Sequence, residues 1–87
     1  MIDLNNHPLA PFFQKVCEEY ERGLKKYGPW EDIPSKEQMD SIRREHDEVR
    51  NAYLNEDIDG DHGELNELTH LANVAGKRWM FLKSGQK

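Results

Sequence analysis

Two interruptions decide what this chain can fold into. Gly28 and Pro29 form the first, and the run NEDIDGDHG at residues 55–63 forms the second. Glycine, proline and short Asx side chains favour turns over continued helix. Between and around these breaks, apolar residues recur at three- and four-residue intervals, the period of a helix with one buried face. Nothing alternates long enough to predict a strand. The expected architecture is all-α, a small bundle of three main helices in one domain spanning residues 1–87.

The first helix is expected over residues 11–27, with Phe13, Val16, Cys17, Tyr20, Leu24 and Tyr27 on its apolar face. Residues 30–34 read as a connector. Ser35 and Gln38 have the spacing of a capping box, which predicts a second helix from Lys36 with Met39, Ile42, His46, Val49 and Tyr53 inward. Asp61 and Glu64 repeat that spacing before a third helix, whose apolar arc is Leu65, Leu68, Leu71, Ala72, Ala75, Trp79 and Leu82. His46 in the middle of its stripe reads as a hydrogen-bonded core or interface histidine, and the single cysteine, Cys17, as a small buried hydrophobe.

At 87 residues such a domain has a thin core. Homo-oligomerisation, as a homodimer or homotetramer, is the expected source of further burial. No segment has the roughly 20 apolar residues of a membrane span, and the N-terminus lacks the basic and apolar regions of a signal peptide. These features predict a cytoplasmic protein without a membrane partner.

Charge is distributed unevenly behind a net value of −5. Between Glu45 and Glu67 stand nine acids and one base, whereas residues 68–87 carry four bases and no acid. A concentrated acidic segment disfavours a nucleic-acid polymer and favours cations. Glu45 with Glu48, and Glu64 with Glu67, are pairs at i and i+3, so each pair projects to one side of its helix. In an antiparallel hairpin both pairs converge at one end of the seam. Four ionised carboxylates in a partly dry seam repel one another, and a divalent cation relieves the repulsion. All-oxygen ligands point to Mg²⁺, with Mn²⁺ as the alternative. Solvated acids, with Glu64 a simple helix-start residue, are the competing reading of the same spacing.

The segments REHDEV (44–49) and ELNELTHLANVAGKRW (64–79), separated by fifteen residues between Glu48 and Glu64, resemble the E-x-x-E and E-x-x-D signature of the MazG-like, all-α NTP pyrophosphohydrolase superfamily. KYGPWEDIP (26–34) is similar to the lead-in of small members, so the resemblance spans about residues 20–80. It implies an oligomeric helical enzyme that hydrolyses a nucleoside triphosphate to monophosphate and pyrophosphate with Mg²⁺. Carried over by position, it implies Glu45, Glu48, Glu64 and Glu67 as metal ligands, with Glu45 and Glu48 catalytic. Glu67 stands where the family has aspartate.

Lys77, Arg78 and Trp30 are candidate substrate-binding residues, the first two for phosphate and the indole, with Tyr27 and Trp79, for a nucleobase. Helix-end charges and core or interface aromatics are the structural alternatives. A non-catalytic helical scaffold or regulatory protein is the competing function. Glu67-x-x-His70 also matches the E-x-x-H of di-iron carboxylate bundles, but His70 falls about 160° from the centre of the expected apolar arc and is predicted to face away. Asn55, Asp57, Asp59 and Gly60 begin like a Ca²⁺ loop, which fails at its twelfth position, Asn66.

Overall fold

The computed structural model describes residues 3–85. Its elements are helix α1 (Ala10–Tyr27), a 3₁₀ turn (Trp30–Asp32), helix α2 (Ser35–Leu54) and helix α3 (Glu64–Lys83). The all-helical expectation holds, and among the described residues there is no strand. Helix α3 lies between the other two and packs on both. Arg78, near its end, reaches Ser35 and Gln38 at the start of α2, so these helices are antiparallel. Glu19 meets His70, and Gly23 lies beside Lys77, so α1 runs in the same sense as α3.

The chain breaks behave as expected. Gly28 closes α1 at φ +79°, a backbone conformation open to glycine at no steric cost, and its N–H donates to the Leu24 carbonyl at 3.1 Å. Pro29 then prevents continuation.

Both expected capping boxes are replaced. Helix α2 begins at Ser35 behind Pro34, with no side-chain cap. Gln38 instead is fully buried, accepting from Arg78 Nη1 at 2.8 Å and donating through Nε2 to the Ile33 carbonyl at 2.8 Å. Gly63, not Asp61, precedes α3. The loop's own backbone satisfies the first helical donors: Glu64 N–H bonds the Asp57 carbonyl at 2.8 Å and Leu65 N–H the Ile58 carbonyl at 3.0 Å. This close approach requires glycine at 63, where a Cβ would stand 2.7 Å from Ile58 O and Gly60 N.

The inward faces differ most from expectation. On α2 they run through Gln38, Ser41, Glu45, Glu48 and Ala52, and on α3 through Glu67, His70, Val74, Lys77, Arg78 and Phe81. The predicted stripes are only partly inward: Met39, Tyr53, Leu65, Leu68, Trp79 and Leu82 are exposed, whereas Ile42, Val49, Leu71 and Ala72 are half-buried. His46 is exposed and not in the core, and Cys17 is exposed and not a buried hydrophobe. Helix α1 buries no residue completely. The buried apolar side chains among the described residues are Trp30, Ala52 and Phe81. The reason is chemical: part of the seam between α2 and α3 is lined by polar side chains, among them the hydrogen-bonded pair Gln38 and Arg78, so the apolar faces of these two helices are rotated away from the centre of the seam.

Candidate metal centre

Midway along the seam three helices contribute acids and a histidine. Helix α2 presents Glu45 and Glu48 one turn apart. Helix α3 presents Glu67 and His70 with the same spacing, and α1 adds Glu19. Ligand atoms of Glu45, Glu67 and His70 lie within 4.8 Å of one another. Glu67 is the buried centre of the group at 2% exposure. Its Oε2 faces His70 Nδ1 at 3.6 Å, and its Oε1 faces the solvent-exposed His62 at 3.5 Å. The other ring nitrogen of His70, Nε2, faces Glu19 Oε2 at 3.5 Å. Glu19 is itself gripped by Arg22 Nη2, at 2.8 and 2.6 Å to its two oxygens.

The carboxyls feel this crowding. Burial, followed by proton sharing with Glu48 and repulsion from its charge, pushes Glu45 up to about 7. Burial raises Glu67, again reinforced by Glu48. Glu48 moves the other way, held below the ordinary carboxylate range chiefly by the hydrogen bond with Glu45. Proton binding is thus spread unequally across the cluster, favoured on Glu45 and Glu67 and disfavoured on Glu48.

Two buried oxygens, Glu45 Oε2 and Glu67 Oε2, have no hydrogen-bond partner. An unpaired buried carboxylate oxygen is costly; protonation, toward which Glu45 and Glu67 are already pushed, lowers that cost, and a cation between the two would lower it as well. The donor set, carboxylates plus one imidazole, fits a divalent metal ion.

Of the residues expected at the site, the structure brings together Glu45, Glu48 and Glu67. Glu64 opens α3 one turn earlier, half-buried and outside the cluster. His70, expected to face away, faces inward beside Glu67. The arc that turned it outward was drawn through leucines that prove to be exposed. Glu19 was not anticipated. The signal for it was faint: an acid beside Val16 and Tyr20, one turn before a glycine.

The cluster opens into a cleft of about 570 Å³. Glu19, Glu45 and His70 stand on its wall, and Arg22, Lys26, Arg44 and Lys77 supply positive charge from all three helices. Lys77 Nζ lies 5.3 Å from the centre of the Trp30 ring, a cation–π distance, and burial lowers its pKa while the charge of Glu19 opposes the shift. Trp30 lines the cleft but is itself largely buried. Arg78, tied to Ser35 and Gln38, does not line it. Trp79 is on the outer surface. Asp57, in the acidic loop, is a turn residue that accepts the Gly60 N–H at 3.0 Å.

No family model, curated protein or solved structure matches the chain. Among the described residues, no helix is long and apolar enough to cross a membrane.

Proposed function

We propose that the protein is a divalent-cation-dependent nucleoside triphosphate pyrophosphohydrolase, with Mg²⁺ or Mn²⁺ as the ion. The observation that carries this reading is the continuity of the carboxylate cluster with a cleft bearing four basic side chains. A polyphosphate needs both: cationic side chains along its length and a cation against the phosphate that reacts.

Glu45, Glu48 and Glu67 are the residues that would hold the ion. When bound, it neutralises phosphate oxygens and acidifies a water molecule. Arg44 and Lys77 bind the phosphate chain and orient it, and the Trp30 ring supports Lys77 from below. Glu48, ionised at neutral pH, accepts the proton of the attacking water. The water oxygen bonds to the α-phosphorus, the bond from that phosphorus to the α–β bridging oxygen breaks, and that oxygen leaves with pyrophosphate. The monophosphate is the other product.

The outward-facing Leu65, Leu68, Trp79 and Leu82 favour a homodimer or homotetramer as the working form, since exposed apolar side chains aligned on one helix face are a common site of association.

The test is incubation with a panel of NTPs and dNTPs in the presence of Mg²⁺ or Mn²⁺, followed by assay for pyrophosphate. Release that disappears in Glu45→Gln and Glu67→Gln is expected. No release from any member of the panel, by a folded protein, leaves the helical scaffold as the better account.

A further inference from the structure

His70 sits between two carboxylates on different helices, with Nδ1 toward Glu67 and Nε2 toward Glu19. Each ring nitrogen therefore has a separate task available to it. On the Nδ1 side is the orphaned Oε2 of Glu67, a residue only 2% exposed, and a carboxylate oxygen of Glu45 completes the group of ligand atoms within 4.8 Å of one another. On the Nε2 side is a carboxylate that Arg22 already fixes in place. A neutral imidazole carries one N–H and one lone pair. Carboxylates face both nitrogens, Glu19 at 3.5 Å and Glu67 at 3.6 Å; with a cation held by Glu45 and Glu67, the N–H belongs on Nε2, toward Glu19, and the Nδ1 lone pair is directed to the cluster.

We propose that His70 is a metal ligand through Nδ1, that Glu19 is the positioning residue that sets its tautomer and orientation, and that the site consequently prefers a first-row transition cation, Mn²⁺, Fe²⁺ or Co²⁺, to Mg²⁺. The inference rests on reading the cluster as a cation site. Imidazole nitrogen is a poor ligand for Mg²⁺, which takes oxygen donors and water, whereas first-row transition ions accept mixed nitrogen and oxygen sets. The acids alone are compatible with Mg²⁺. The histidine shifts the preference.

Pulsed electron paramagnetic resonance of the full chain with added Mn²⁺ tests this without any substrate. The expected spectrum contains ¹⁴N coupling from a bound imidazole, which converts to ¹⁵N coupling when histidine is isotopically labelled. His62 is the rival, being 3.5 Å from the other oxygen of Glu67, so His62→Asn should keep the coupling and His70→Asn should lose it. Equilibrium dialysis should show Mn²⁺ retained against a hundredfold excess of Mg²⁺, with about tenfold or greater loss of Mn²⁺ affinity in His70→Asn. Glu19→Ala should alter the nitrogen coupling, and Glu19→Gln, whose amide oxygen still accepts an N–H, should restore it.

Mn²⁺ bound to wild-type protein with no nitrogen coupling overturns the proposal and leaves the cation site standing. Coupling that survives His70→Asn overturns it as well. An absence of Mn²⁺ binding overturns the cation reading itself.

Discussion

Arg78 Nη1 donates to Gln38 Oε1 at 2.8 Å across a sequence separation of 40 residues, and the same glutamine donates onward to the Ile33 carbonyl. One fully buried amide therefore joins the end of α3, the start of α2 and the connector that carries Trp30. Replacing it with leucine strands the Ile33 carbonyl and leaves the Arg78 guanidinium with Ser35 Oγ, at 2.9 Å, as its remaining partner at this end of the seam. Gln38→Leu should lower the unfolding free energy by about 2–3 kcal/mol, because hydrogen bonds to charged groups are among the stronger ones and stranded groups keep their desolvation cost. Urea denaturation measures it, and a loss below about 0.5 kcal/mol would mean that the network is idle.

Glu45 sits where its charge is unwelcome. Glu45→Gln removes that charge at nearly constant shape. Because the carboxyl is only partly buried and solvent screens its neighbours, the gain in stability of the metal-free protein should be modest, about 1 kcal/mol. The same substitution should abolish the rise in melting temperature that Mn²⁺ confers. A variant that is less stable without metal and still responds to it would contradict the placement of Glu45 in the cluster.

The pH dependence follows from the same acids. Glu45 titrates at about 7 in the folded chain against an ordinary 4.5, so the folded state binds more protons than the unfolded state between those values. Stability from this group is present at the acidic end and is lost as pH rises through 7. The raised Glu67 acts in the same direction, and the lowered Glu48 opposes it, contributing stability above 4.5 that is lost as pH falls below that value. In a chelator the melting temperature should therefore fall between pH 5 and about 7.5. Saturating Mn²⁺ should flatten or reverse that slope, since the cation takes the place of the proton. Thermal melts at half-unit pH intervals read both outcomes.

Gly23 keeps the cleft open beside Lys77. A Cβ at this position would lie 3.3 Å from Nζ, close enough to displace the ammonium slightly. Alanine is a better helix former than glycine by up to about 1 kcal/mol, so Gly23→Ala should raise the melting temperature. It should also weaken binding of inorganic triphosphate, as should Lys77→Met more severely, by about tenfold. Calorimetric titration distinguishes this split from a variant that is simply more or less folded.

The outer apolar stripe makes a prediction about assembly. Leu68 and Trp79 are exposed on one side of α3. If they meet a second copy, Leu68→Glu and Trp79→Glu should convert the sedimenting species to a monomer while helicity by circular dichroism is retained. A wild-type chain that sediments as a monomer at every concentration removes this interface.

Helix number, the breaks at Gly28–Pro29 and 55–63, and the convergence of Glu45, Glu48 and Glu67 were legible because they depend on local chemistry and on spacing. The rotation of α2 and α3 about their axes was legible only in part: Ile42, Val49, Leu71 and Ala72 of the expected faces are half-buried, and the rest are exposed. Leu65, Leu68 and Trp79 define the strongest apolar arc of α3, and a rule that buries apolar residues turns that arc inward. Gln38, Glu67 and Thr69 are buried instead, held by partners up to forty residues away. Pairing across such a distance leaves no mark in a helical wheel, so His70 was rotated out of the site and Glu19 went unnoticed. The caps failed for a similar reason: Asp57 and Ile58 serve α3 with backbone carbonyls, which every residue possesses.

The acid-lined seam also changes what kind of object the interior is. In most small domains the middle is the most contented region and the surface carries the compromises. Here the compromise lies at the centre, where Glu45 and Glu67 each keep an unanswered oxygen between helices held together by other contacts. Such a centre is a locally frustrated part of an otherwise consistent fold. It resembles a loaded spring: the repulsion left unresolved during folding is free energy that a cation bound there would release.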